Sequence, residues 1–226
     1  MFADGPHIAT AAYEVGNANL GNEKSTNADL GLQWKSGANH FKVSAFATRF
    51  RNYIALLSTG AQRDVDGELF PEFAYSQVRA KFRGLEAGGN VRLIEKAGTL
   101  DLELRGDLVR ADNATTGQPL PRIAPVRAGA TLVWSQGAWG ARLGFDRASA
   151  QNRVPAGELP TPAYTLWNAA LTYKMKAGAT QLLWYARLDN AGDRLAYSAT
   201  SILTQTAPGK SPLPGRSVKL GLQASF

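Results

Sequence analysis

Apolar and polar residues alternate along almost the whole of this chain, and a repeat of two admits only strands with two unlike faces. The closing segment is the clearest. Val218, Leu220, Leu222, Ala224 and Phe226 fall on one face, and Lys219, Gly221, Gln223 and Ser225 on the other. Leu100, Leu102, Leu104 and Leu108 likewise alternate with Asp101, Glu103, Arg105 and Asp107. Ala28, Leu30, Leu32 and Trp34 oppose Asn27, Asp29, Gly31 and Gln33. Trp139, Ala141, Leu143 and Phe145 oppose Gly140, Arg142, Gly144 and Asp146, and Leu182, Trp184, Ala186 and Leu188 oppose Gln181, Arg187 and Asp189.

Counted back from Phe226, the pattern predicts about nine strands: 25–35, 40–56, 75–93, 98–110, 124–135, 138–151, 162–175, 179–190 and 215–226. Each should pair antiparallel with its sequence neighbour, with almost no helix. Short turns fall at Lys35–Ala38, Glu95–Gly98, Ser135–Gly137 and Lys176–Gly178. Long links rich in Pro, Gly, Asn and Asp fall around 57–74, 111–123, 152–161 and 191–214. A soluble sandwich also alternates, but its strands usually run about 5–6 residues, whereas a membrane-spanning strand needs about 9–11. Charges recur on the polar face of nearly every strand, which suits a wet lumen. Short turns on one side and long loops on the other complete the description of an outer-membrane barrel. The expected fold is therefore all-β, an antiparallel up-and-down transmembrane β-barrel portion of about nine strands, a partial barrel.

The aromatic residues point the same way. Trp34, Phe41, Trp134, Trp139, Tyr173 and Phe226 all fall at strand ends beside the short turns or at the C-terminus. If those turns are periplasmic, the six rings form one girdle at a membrane interface. One stretch breaks phase. Val78, Ala80 and Phe82 share a face, but beyond Gly84 the apolar set moves to Leu85, Ala87, Val91 and Leu93. A β-bulge between Gly84 and Gly89, or the merging of two short strands, would shift the face in this way.

Bulk composition removes other classes. The formal charge is +7, from 25 Lys and Arg against 18 Asp and Glu. The basic residues are spread singly beside acids rather than gathered on one patch, which argues against nucleic acid as a partner. There are no cysteines, so no disulfide scaffold or thiolate metal site is available. No run of about 18 apolar residues offers a transmembrane helix. The start, Met1-Phe2-Ala3-Asp4-Gly5-Pro6, lacks the basic and apolar regions of a signal peptide. A protein expected in a Gram-negative cell outer membrane needs such a signal, so either the true N-terminus lies upstream of Met1 or the membrane reading is wrong.

The order of landmarks resembles the C-terminal end of TonB-dependent outer-membrane receptors. Tyr13-Glu14-Val15-Gly16-Asn17-Ala18-Asn19-Leu20 with Glu23-Lys24-Ser25 is similar to that family's GN-x-NL-x-x-E-x-S stretch. Phe46 and Phe50-Arg51-Asn52-Tyr53-Ile54 resemble its aromatic-rich partner strand, and Gly84-Leu85-Glu86 its G-x-E strand. Leu188-Asp189-Asn190-Ala191-Gly192-Asp193-Arg194-Leu195-Ala196-Tyr197 resembles its NL-x-D-x-x-Y element, with Ala191 in place of Leu. Pro214-Gly215-Arg216 and the strand ending in Phe226 resemble the closing strand, whose terminal aromatic is read by the barrel-assembly machinery. Gly5-Pro6-His7-Ile8-Ala9-Thr10 and Pro121-Arg122-Ile123 are reminiscent of members associated with zinc or haem uptake.

The resemblance implies that residues 1–226 are the C-terminal part of a barrel of about 22 strands. A plug domain and the N-terminal strands would lie outside this sequence. It implies uptake of a scarce solute such as a metal chelate, siderophore, haem or metal ion, powered by the TonB complex through the plug. Outer-membrane lipid and a small-molecule ligand would be further partners. The alternative is a small passive, porin-like channel; a barrel enzyme and a soluble sandwich are weaker readings.

No catalytic constellation, cofactor or resident metal site is legible. A nucleophile–base pair needs both groups within hydrogen-bond reach. The two histidines are placed at opposite ends: His7 ahead of the first long strand on the external side, His40 at a periplasmic turn. His7 is the candidate ligand-binding residue. Asp101, Glu103, Asp107, Asp146 and Asp189 sit among Arg and Lys, as in a charge-paired lumen wall, or as guides for a charged ligand. Gly88-Gly89 lacks the context of a phosphate loop, and the Asn113-Ala114-Thr115 sequon carries no meaning in a bacterial outer-membrane protein.

Overall fold

The two-residue repeat builds one sheet. In the computed structural model, which describes residues 4–226, eleven strands follow in order: β1 (Gly5–His7), β2 (Ala12–Val15), β3 (Ser25–Ser36), β4 (Asn39–Val65), β5 (Glu68–Ile94), β6 (Thr99–Asn113), β7 (Arg127–Gln136), β8 (Trp139–Ala148), β9 (Tyr164–Ala177), β10 (Thr180–Asp189) and β11 (Ser217–Ser225). The start of the stretch tested for a signal peptide, Met1 to Ala3, lies outside the described residues. From β3 to β11 every strand pairs antiparallel with its sequence neighbour. These are the nine predicted strands. The short turns also lie where predicted, with Gly37, Gly98, Gly137 and Gly178 each at positive φ. A glycine reaches that region without the Cβ clash that penalises other residues.

Cross-strand register shows that the faces hold across the sheet, because directly paired residues share a face. One row runs Leu32, Val43, Ala87, Gly106, Ala128. Another runs Leu102, Leu132, Leu143, Ala169, Leu188, Val218, and a third Leu100, Trp134, Ala141, Leu171, Ala186, Leu220. Many of the large apolar side chains on this face are exposed, Leu30, Leu32 and Leu220 by 68%, 69% and 76%. A water-facing sheet would not present so continuous an apolar face; hydrocarbon would cover it. Trp34 stacks on Phe41 with centroids 5.9 Å apart, and Trp139 lies 4.6 Å from Tyr173. Register adds Trp184 to that girdle, opposite both Tyr173 and Leu222. The other face carries Asp29, Asp101, Glu103, Arg105, Arg142 and Lys219, as expected.

Three expectations need correction. The stretch 57–74 is not a loop. β4 and β5, each 27 residues long, continue through it as one hairpin closed at Asp66-Gly67, with Val65 opposite Glu68. Above the membrane no lipid enforces alternation, so Gln62 to Val65 pair with Glu68 to Pro71 without the spanning signature. No bulge lies between Gly84 and Gly89, where β5 pairs without interruption to both β4 and β6. The apolar set changes face because its partner changes. Leu85 and Ala87 face outward, whereas Val78, Ala80 and Phe82 face inward onto Phe50, Tyr53, Ala55 and Ala111. The β6–β7 loop covers this patch with buried Leu120 and with Ile123. The irregularities fall instead between Phe50 and Tyr53 of β4, between Ser58 and Gln62, and at Arg92/Ile94.

Finally, β2 breaks the meander. It pairs parallel with β5, Tyr13 opposite Glu72, on the side that β6 leaves open beyond Asn113. Among the described residues, helix is limited to a 3-10 turn at Ile8–Thr10 and the four-residue α1, Leu203–Thr206. Among the same residues β3 pairs only with β4 and β11 only with β10, so the sheet is not closed.

Candidate functional site

The inward face is a ladder of ion pairs. Arg92 of β5 donates to Asp101 at 2.5 Å, Arg127 of β7 to Asp107 at 3.0 Å, and Arg187 of β10 to Asp189 at 2.7 Å, with Lys219 of β11 3.7 Å from the same carboxylate. Two pairs reach over β7, joining β6 to β8: Arg142 to Glu103 and Arg105 to Asp146, each at 2.5 Å. Residue 129 makes the second crossing possible. A Cβ at Gly129 would lie 2.7 Å from the Arg105 Nε, so glycine leaves the guanidinium this path across β7, and a larger residue would push it aside. Arg105 also donates to Thr131 (3.2 Å), and Asn168 donates to Asp146 (3.1 Å). The five carboxylates singled out from sequence thus all have a cationic partner. The pairs Arg105–Asp146, Arg142–Glu103 and Arg127–Asp107 are largely half-exposed, so each is worth about 0–1 kcal/mol. Their shared effect is a charged, solvent-accessible wall on which these arginines and carboxylates are matched. A basin of about 290 Å³ between Arg105, Arg142, Asp146, Asn168 and Arg187 opens on it. A larger depression of about 590 Å³, lined by Trp139, Leu171, Tyr173, Trp184, Leu220 and Leu222, belongs to the apolar face and suits hydrocarbon rather than a polar solute.

At the outer end, the N-terminal segment is laced to the β4–β5 hairpin. Glu14 is 4% exposed and accepts from the Tyr75 hydroxyl at 2.9 Å and the Thr10 hydroxyl at 3.0 Å. His7 Nδ1 lies 4.0 Å from the same carboxylate, with its own side chain half-exposed. Burial, then the hydrogen bond to Glu14, raises the Tyr75 pKa, so the phenol stays a donor. Arg63 pairs with Glu72 and lies 5.5 Å over the Tyr13 ring. That hydrogen bond holds the Glu72 carboxyl below its usual range. The tie is therefore complete above the ordinary glutamate pKa and is lost only as pH falls through the lowered one.

His7 and His40 are not brought together. His7 sits beside β2, which pairs at Glu72, while His40 pairs with Asn90; along β5 that separation is roughly 60 Å at about 3.3 Å per residue. Among the described residues, no group of three or more His, Cys, Asp or Glu side chains could hold a metal ion.

The landmark residues prove to organise loops. Glu23 accepts from the Ile54 N–H at 2.7 Å, beside the irregularity in β4. Gly21 and Gln77 exchange hydrogen bonds of 3.0 and 2.7 Å. Leu120 and Pro121 are buried, and Arg122 donates to the Leu56 carbonyl at 3.0 Å, so this loop is anchored rather than free to capture a solute. Asn190 is the knot of the β10–β11 loop. It is 3% exposed, its side-chain amide donates to the carbonyls of Arg194 (3.0 Å) and Pro214 (3.2 Å), and its oxygen accepts from the Arg194 N–H (2.8 Å). That loop reaches its neighbours through Gln205, which exchanges hydrogen bonds with Leu159, and Thr206, which donates to the Thr10 carbonyl.

Replacing Asn190 by Ala would strip three hydrogen bonds and leave alanine at φ 48°. The loss should be about 1–3 kcal/mol of loop order, read as new protease cleavage within residues 191–216 while the strands stay intact. Unchanged cleavage would remove Asn190 from this role.

A family model for the β-barrel of TonB-dependent receptor-like proteins matches residues 1–191. Among solved structures, the copper transporter OprC superposes with a TM-score of 0.73 at 20% identity, covering 92% of this chain and 31% of its own. The ferric preacinetobactin receptor BauA of Acinetobacter baumannii gives 0.63 at 18%, covering 89% and 29%. The pyoverdine outer membrane receptor FpvA of Pseudomonas aeruginosa gives 0.60 at 14%, covering 98% and 32%. The chain thus spans about a third of the length of the receptors it matches.

Proposed function

We propose, from the premise that this chain belongs to the TonB-dependent receptor-like β-barrel family, that it forms the C-terminal portion of the outer-membrane barrel of an active uptake receptor. The observation that carries the reading is the pairing of a continuous apolar face with a charged inner wall on a sheet that does not close. Such a wall suits a wide, water-filled lumen, and the free edges of β3 and β11 suit completion by further strands. In this reading the N-terminal strands and the plug lie outside these 226 residues. The plug contacts the TonB complex, and the barrel-assembly machinery engages the strand ending at Phe226. The solute is a metal chelate, siderophore, haem or metal ion captured on the external side, where half-exposed His7 beside Glu14 is the candidate contact.

The test is uptake of labelled ferric, cupric and haem complexes by cells bearing the intact receptor polypeptide. Accumulation above the external concentration, abolished when the proton gradient is collapsed, is the expected result. Equilibration without accumulation, indifferent to the gradient, would favour the passive channel instead.

A further inference from the structure

Arg92, Arg105, Arg127, Arg142 and Arg187 of the inner wall are each paired with a carboxylate, but a set of cations on the outer face is not. Arg49 of β4 stands directly opposite Lys81 of β5, and Arg83 of β5 directly opposite Arg110 of β6. All four are exposed. Their positions share a face with Ala45, Leu85 and Leu108, one step above the end of the apolar rows. Among the described residues none of the four makes an ion pair or a side-chain hydrogen bond. The carboxylate that shares their face, Asp112 opposite Lys81, is already engaged by Arg153. Directly opposed residues bring their Cβ atoms within about 4.5–5.5 Å, and like charges so placed destabilise a sheet unless something neutralises them.

Depth says what that something is. From the ends of the turn between Ile94 and Thr99, Arg83 and Arg110 are each eleven positions up their strands. At about 3.3 Å per residue and a tilt of about 45°, that rise is roughly 25 Å, the height of the apolar band of an outer-membrane barrel. The four cations therefore lie at the level of the outer headgroups.

Resting on the barrel reading above, we propose that Arg49, Lys81, Arg83 and Arg110 form a binding surface for the phosphate groups of anionic lipid in the outer leaflet. A guanidinium offers a planar fork that phosphate accepts bidentately. A phosphate between two opposed cations would convert their repulsion into attraction. An acidic protein surface is less suited to this depth, where hydrocarbon begins one residue pair below.

The experiment places the intact receptor polypeptide in phosphatidylcholine vesicles doped with bisphosphorylated lipid A or with its dephosphorylated form. The doped lipid that stays with the protein on detergent extraction is then measured. The phosphorylated form should be retained preferentially, and less so as salt rises. Arg83→Gln with Arg110→Gln should weaken retention roughly fivefold for each charge removed, the paired Lys substitutions should restore most of it, and Lys176→Gln near the opposite turn should leave it unchanged. Arg49→Gln with Lys81→Gln reads the neighbouring pair should the first variant not insert. Equal retention of the two lipids, or retention untouched by both Gln pairs, would overturn the proposal and leave an acidic protein as the partner to seek. A wild-type protein that does not enter vesicles at all would overturn the barrel reading, and the inference with it.

Discussion

An arginine at position 102 should prevent assembly of the barrel that contains this chain, whereas an arginine at position 103 should be nearly silent. Leu102 lies between Val91 and Leu132 on the apolar face, in the row that continues through Leu143 to Val218. A cation on that face costs about 2–4 kcal/mol at mid-bilayer, where no water or counter-ion is at hand. Glu103, one residue on, points to the opposite face and pairs with Arg142. Reversing its charge leaves two half-exposed guanidiniums near each other in a wet lumen, a change on the scale of a surface ion pair, about 0–1 kcal/mol. The measurement is the fraction of intact receptor that shows a heat-resistant folded band from outer membranes. Strong loss for Leu102→Arg with Glu103→Arg near wild type is expected. Equal losses would mean that the faces are not lipid and lumen.

This contrast was legible in the sequence because a strand in a bilayer answers to two solvents at once. Leu100, Leu102 and Leu104 against Asp101, Glu103 and Arg105 carry that record residue by residue, and the short glycine turns fix where each strand reverses. The signal fades where the membrane ends. Above Arg49 and Arg83 no hydrocarbon selects one face, so Gln62 to Val65 read as a loop although they pair, and the inward turn of Val78, Ala80 and Phe82 imitated a bulge. The parallel pairing of β2 was beyond local pattern, since it depends on β6 stopping at Asn113.

The site was partly readable in the same sense. That Asp101 or Asp146 would have a basic partner followed from the mixture of charges. Which cation reaches which carboxylate did not, because two pairs skip a strand and one needs the missing side chain of Gly129 to do so. His7 was placed externally, but its proximity to Glu14 rests on the tight turn through Ala11 that folds β1 onto β2.

Expressed by itself, the 226-residue chain should aggregate rather than yield a stable barrel. β3 spans twelve residues and β11 nine, and each has a partner on one side only. In a strand, backbone N–H and C=O groups point alternately to the two neighbours, so each free edge leaves a row of donors and acceptors unpaired. In hydrocarbon every such group costs several kcal/mol, which no side-chain packing on the sheet recovers. The chain could escape by curling until β3 met β11, but a narrow ring would press Asp101, Glu103, Arg105, Arg142 and Arg187 into one small interior. Charges that are half-solvated in a wide lumen would there be stripped of water, at a penalty that their mutual attraction repays only with near-ideal geometry. Refolding into detergent, followed by amide hydrogen exchange, decides the matter. Rapid exchange along β3 and β11 with no heat-resistant band is the expected result; slow exchange on both edges, with a detergent-stable band, would mean that the chain closes on itself and would revive the small passive channel.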